Sequence, residues 1–218
     1  MSALSRLAAL PAPHRIRARL RTLTLLEVCF DPKWPRYTYT PAGDDGFERF
    51  VFKNAGGASY RVYLGRSLTF LRAFDPQSPL SPYAYGDIWP GLLDGLPEPL
   101  VPLTRLPDER PYPHITLALW HDGASWKHGD PRPLDGEEAP LSRWLLGPLP
   151  DFTATAIADH LNYFYERPVD PEAVSEVIGG APIDGALLER LAPGADLAPV
   201  QEIARVLDGR PATPSTTS

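Results

Sequence analysis

Residues 68–96 constrain the fold more than any other stretch of the chain. Leu68, Phe70, Arg72 and Phe74 alternate with Thr69, Leu71 and Ala73, so both faces carry apolar groups and the strand they form needs neighbours and cover on both sides. Pro76, Pro79 and Pro82 then recur at every third position. A proline lacks an N–H, fixes its own φ and pushes the residue before it toward extended geometry. The run therefore predicts a stiff, polyproline-like crossing and not a flexible tether. Tyr83 and Tyr85 follow, and then Asp87 as the N-cap of a helical turn through Ile88, Trp89, Leu92 and Leu93, with Pro90 near its start. One reading has this loop presenting Asp75, Gln77, Ser78, Ser81, Tyr83, Tyr85, Asp87 and Trp89 to a partner. The other has it as a crossover that packs its prolines and tyrosines on the core, since ordered long loops serve both purposes.

The strand at 68–74 finds its neighbours in the flanking sequence. Arg36–Thr40, Phe47–Lys53 and Tyr60–Leu64 read as strands joined by turn-forming segments at 41–46 and 54–57, and Gly65-Arg66 suits a two-residue hairpin with glycine first. Ile115–Trp120 is a further strand. Asp122-Gly123 after it is a strong hairpin signal, and as a two-residue turn it sets His121 opposite Ala124, Leu119 opposite Trp126 and Leu117 opposite His128. Before the sheet, Ser2–Leu10 reads as a short helix, and His14–Phe30 as a longer one with Ile16, Leu20, Leu23, Leu26 and Phe30 on one side. Leu96–Pro113 is proline-rich and acidic and reads as a surface crossing, and Leu141–Leu146 as a helical turn. Helices then follow at 151–166, at 171–178 with Asp170 as cap and Gly179-Gly180 as stop, at 186–191 and at 197–207. The expected class is α+β: an antiparallel meander of about six strands, an N-terminal helix packed on it, and a C-terminal helical appendage. The expected division is a core at 1–148, a helical segment at 149–209 and a disordered tail at 210–218.

Composition narrows the function. The 27 prolines in 218 residues are about twice the usual share and point to short elements joined by stiff loops. A net charge of −6 speaks against general nucleic-acid binding, which draws on Lys and Arg to neutralise phosphates. Residues 1–29 nevertheless carry five arginines and one acid, a local +4 that leaves −10 for the remainder. That helix is either a docking surface for an acidic partner or RNA, or it pairs with the acids of its own fold. A single cysteine, Cys29, excludes an internal disulfide, fits a reducing compartment, and sits in a helical pattern as a small buried hydrophobe. With no long apolar run and no leader-type segment, the expected location is the cytoplasm, with no membrane partner.

Familiar catalytic patterns are missing. His114, His121 and His128 recur every seven residues, but an odd separation puts residues of one strand on opposite faces, so they do not converge as zinc ligands. No Gly-x-Ser-x-Gly elbow, dinucleotide fingerprint or Walker-type loop occurs, and no cofactor or metal is expected. What remains for chemistry is a set of carboxylates, Asp75, Asp87 and Asp94, that a fold could bring beside His121 or His128.

The segments Phe74-Asp75-Pro76-Gln77-Ser78-Pro79-Leu80-Ser81-Pro82-Tyr83 and Trp89-Pro90-Gly91-Leu92-Leu93-Asp94 resemble a family of uncharacterised bacterial cytoplasmic proteins with the pattern F-D-x-x-S-P-x-S-P-Y, then W-P-G-x-L-D-x-x-P. The likeness extends loosely to Phe30-Asp31-Pro32-Lys33-Trp34 and to the hairpin with Trp120 and Trp126, and spans roughly the first 130 residues. By broader analogy the chain resembles the small acidic α+β proteins that act as immunity or antitoxin partners of bacterial toxins. Two expectations follow. One is a non-catalytic module that binds another protein through the 75–89 loop. The other is a small hydrolase or transferase with Asp and His groups meeting at that loop.

Overall fold

A computed structural model describes residues 10–210 except 107–108, 110–111, 138 and 140–142. The helix expected at 2–10 and the tail expected at 210–218 therefore fall almost wholly outside the described residues. Six strands form one antiparallel sheet in chain order: β1 (Tyr37–Thr40), β2 (Glu48–Lys53), β3 (Ser59–Leu64), β4 (Thr69–Phe74), β5 (Leu117–His121) and β6 (Trp126–His128). A helix, α1 (Pro13–Phe30), precedes them, a single turn α2 (Pro82–Tyr85) interrupts them, and α3 (Ala154–Tyr165), α4 (Pro171–Ile178), α5 (Gly185–Leu191) and α6 (Leu197–Leu207) follow. Short 3₁₀ segments occupy Glu98–Thr104 and Arg143–Leu146. The architecture is α+β. No helix among the described residues is long and apolar enough to cross a membrane.

By internal contact the chain forms two units. One comprises residues 1–13 and 42–146, the other residues 14–41 and 147–218. The leading helix α1 is thus grouped with the C-terminal helices, and its arginines show why. Arg19 donates to the Leu149 and Pro150 carbonyls at 2.6 and 3.1 Å, while Arg21 donates to the Leu207 carbonyl and, at 2.6 Å, to the Asp208 carboxylate. Of the two readings for the basic helix, these bonds are the one in which it serves its own fold.

In the strand-bearing unit every residue of β4 is buried, as a two-faced apolar strand between β3 and β5 requires. One face carries the row Phe50, Val62, Leu71, Leu119, each opposite the next. The other carries Arg49, Tyr63, Phe70, Trp120. On that second face Tyr63, Phe70, Ala118 and Trp120 pack with Leu92, Leu100 and Ile115, so the segment after the proline run folds back as a lid over the sheet.

Both hairpins differ from expectation in the same way. Gly65 N–H donates to Leu68 O at 2.9 Å, so the central pair is Arg66-Ser67 and Gly65 is the last paired residue. Its φ is not positive; glycine is needed because a Cβ there would press on the Phe47 ring. In the second hairpin Asp122 pairs with Ser125, and Gly123-Ala124 is the centre. The Asp122 carboxylate accepts from the Ala124 and Ser125 N–H groups at 3.0 and 2.9 Å, which holds the turn at its shifted position. Each turn lies one residue later than expected, so each register shifts by two: Leu119 faces His128 and His121 faces Trp126. Facing is unchanged by an even shift.

The expected surface crossing at 96–113 is partly interior. Arg72, on the lid-covered face of β4, is 2% exposed, and it donates to the Leu103, Thr104 and His114 carbonyls at 3.2, 3.1 and 2.7 Å. It also forms a buried ion pair with Glu109 at 2.5 Å. In the helical unit Cys29 is buried, with its thiol pushed up to about 12, as an inert packing residue requires. Burial also holds His160 down at about 4, against the Tyr37 hydroxyl at 3.3 Å.

Two outcomes are expected. Arg72→Met alone leaves the Glu109 carboxylate buried without its partner and should cost about 3–5 kcal/mol in urea unfolding, whereas Arg72→Met with Glu109→Leu should recover most of that loss. A double variant no more stable than the single one would show that the pair is not the anchor. The unfolded chain takes up a proton on His160 near its ordinary value of 6.5 and the folded chain only near 4. Stability is therefore lost as pH falls through that window, by on the order of 3 kcal/mol. His160→Gln should flatten the acid limb of melting temperature against pH.

Candidate functional site

The proline run is not an extended crossing. It is three turns in tandem, each opened by Asp75, Ser78 or Ser81 and each with a proline second. The N–H of Ser78 donates to Asp75 O at 3.1 Å, that of Ser81 to Ser78 O at 2.8 Å, and that of Ala84 to Ser81 O at 2.8 Å. The opening side chain of each accepts from the N–H two residues on: Gln77 to the Asp75 carboxylate at 2.9 Å, Leu80 to Ser78 Oγ at 3.2 Å, Tyr83 to Ser81 Oγ at 3.2 Å. Proline suits the second position of such a turn because its φ is already correct, and Asp or Ser suits the first because its oxygen caps the turn. The threefold spacing is therefore a turn period. The third turn continues into α2, so the helix cap is Ser81. Asp87 caps no helix: its carboxylate accepts from the adjacent Ile88 N–H at 2.7 Å, and residues 90–95 form turns.

This geometry sorts the eight expected binding residues. Asp75, Ser78 and Ser81 are buried, and each gives a side-chain oxygen to its own turn. Gln77, Tyr83, Tyr85 and Asp87 are exposed and Trp89 is half-buried. Trp89 donates its indole N–H to Arg132 O at 2.9 Å and lies against the Tyr85 ring, centroids 4.9 Å apart. Next to it a Cβ at Gly91 would overlap the Asp130 carbonyl, so the W-P-G triplet marks a close backbone crossing.

Around the end of β4 the exposed part of the loop joins residues that sequence reasoning missed. The Tyr83 hydroxyl shares a hydrogen bond with His114 Nε2 at 3.0 Å, and both rings rest on Phe74, at 5.5 and 4.4 Å. Trp144 donates its indole N–H to the second Asp75 oxygen at 3.1 Å. Tyr83 and Trp144 are 62% and 61% exposed, yet each has its polar tip fixed. Phe74 and His114, which contact Tyr83, also line a cleft of about 260 Å³, bounded further by Lys53, Ser59, Arg61 and Glu109. The only sequence signal for this grouping was Arg61 in a strand beside tyrosines. A larger cavity, about 880 Å³, lies in the helical unit between α1, α4 and α6. The cations at its edge are engaged within the chain, Arg21 with Asp208 and Arg205 with Glu202.

The histidines have separate duties. His121 Nδ1 accepts from the Gly123 N–H at 3.1 Å, and His128 Nδ1 lies 2.5 Å from the Gly129 carbonyl. Neither bonds Asp75 or Asp87. Among the described residues no group of three or more His, Cys, Asp or Glu side chains is arranged to hold a metal ion. Set against family models, curated proteins and solved structures, the chain matches none of them.

Proposed function

We propose that the protein is a non-catalytic, cytoplasmic binding module that docks another protein through the exposed end of the 75–89 loop, in the manner of immunity or antitoxin-like partners. The observation that supports this reading is the pair Tyr83 and Trp144, large rings open to solvent with their hydrogen-bonding tips already anchored. Side chains held in this way lose little freedom on docking, and Tyr and Trp supply much of the affinity at protein interfaces. The tandem turns support it further, because they fix the backbone beneath Tyr83 with bonds made wholly inside the loop. A hydrolase or transferase built on Asp75 or Asp87 has less support, since neither carboxylate bonds His121 or His128.

Truncating an anchor of this type costs about 2 kcal/mol or more. Tyr83→Ala and Trp144→Ala together should therefore remove the species that co-purifies with the tagged wild-type chain from its native extract. Tyr163→Ala, at a still more exposed ring in the helical unit, should retain it. The melting temperature of each variant separates lost docking from lost folding. An unchanged co-purification profile with the double variant would sink this reading.

A further inference from the structure

The cleft beside Tyr83 carries unbalanced positive charge. Arg61 on β3 stands directly opposite Arg72 on β4. Like charges opposed across a sheet are unfavourable, and the acid beside them, Glu109, pairs with Arg72. Glu109 gives one carboxylate oxygen to Arg72 at 2.5 Å and the other to the Leu106 N–H at 3.2 Å, so its capacity is spent on the buried side. Among the described residues Arg61 and Lys53 form no ion pair. Both line the cleft with Ser59, Phe74 and His114, and the Glu109 side chain already paired with Arg72 lines it too.

We propose that this cleft receives a carboxylate side chain of the docked protein, so that the partner presents an Asp or Glu next to the surface that packs on Tyr83; this rests on the docking reading above. The volume of about 260 Å³ suits one side chain, the two cations supply the charge, and the aromatic wall accepts the apolar stem of the acid. In the free protein Glu109 neutralises Arg72 and leaves Arg61, directly opposite, without an acid of its own, which the incoming anion supplies.

The test is selection of a random peptide library against the full chain in four forms: wild type, Lys53→Glu with Arg61→Glu, Lys53→Gln with Arg61→Gln, and Tyr83→Ala. Wild-type binders should fix Asp or Glu at one position. Those peptides should bind the Gln variant at least tenfold more weakly, and the Glu variant should select Lys or Arg at that position. The Gln variant keeps the test decisive if charge reversal disturbs folding. Binders that require Tyr83 but show no acidic preference overturn the carboxylate site and leave the docking reading intact. Binders indifferent to Tyr83, or none at all, overturn both. Displacement of the peptides by inorganic phosphate at micromolar concentration, with acetate inert, would assign the cleft to a phosphoryl group and overturn the carboxylate.

Discussion

Arg72 makes four hydrogen bonds from the middle of a buried strand, three to carbonyls and one to a carboxylate. The cost of removing its charge from water is offset by these four bonds, made by the two terminal nitrogens, and Glu109 is fixed in return by the Leu106 N–H. The consequence is topological. A proline-rich segment between two strands has few ladder bonds of its own, and here Leu103, Thr104, Glu109 and His114 are all tied to one guanidinium. His114 is the residue on which Tyr83 closes, so the exposed aromatic cluster inherits its position from an ion pair in the interior. A charged residue among apolar neighbours in the most buried strand is thus the pin for the loop that the surface presents.

The loop itself solves a separate problem. Between β4 and the lid over the sheet the chain must leave the end of a central strand without giving up its backbone bonds. Three turns in succession satisfy those groups within the segment, and the prolines remove N–H groups that would have no acceptor. Leu80, wholly buried, ties the middle turn to the interior. Rigidity at Tyr83 therefore has two independent sources, turn closure behind it and ring packing beside it.

Much of this was legible in the sequence, and the errors share a pattern. Strand identity and facing follow from alternation of apolar residues, which is why β1 to β6 lie within about two residues of expectation. Facing also survived both misplaced turns, because each register slipped by two. The pairs did not survive. With Gly65-Arg66 as the turn, Arg61 would face Phe70 and look like an ordinary exposed arginine; with Arg66-Ser67 it faces Arg72, and the charge conflict appears. Gly65 sits in the ladder beneath the ring of Phe47, just before β2, a contact that explains the glycine without a turn centred on it. Local glycine and aspartate signals place a hairpin to within a residue, and a single residue separates a silent arginine from a candidate ligand-binding one. The proline spacing was misread for a related reason: a period of three fits both an extended helix and a chain of turns, and only the Asp or Ser before each proline distinguishes them.

That distinction bears on where function resides. Phe-Asp-Pro occurs twice, and in both places the aspartate accepts from the N–H two residues on, Lys33 at 3.2 Å and Gln77 at 2.9 Å. The first copy ends helix α1 and the second ends strand β4, so the triplet is a general stop that leaves an element in a capped turn. Asp170-Pro171 uses the same chemistry to open α4. A device used at three sites does not identify a partner. What sets the second copy apart is its continuation into two further turns, the tryptophan on its other carboxylate oxygen, and the cationic cleft beyond Phe74. Recognition therefore belongs to the rings and charges held around the turns, and the turn oxygens that the repeat makes conspicuous in the sequence are the ones already spent on the chain itself.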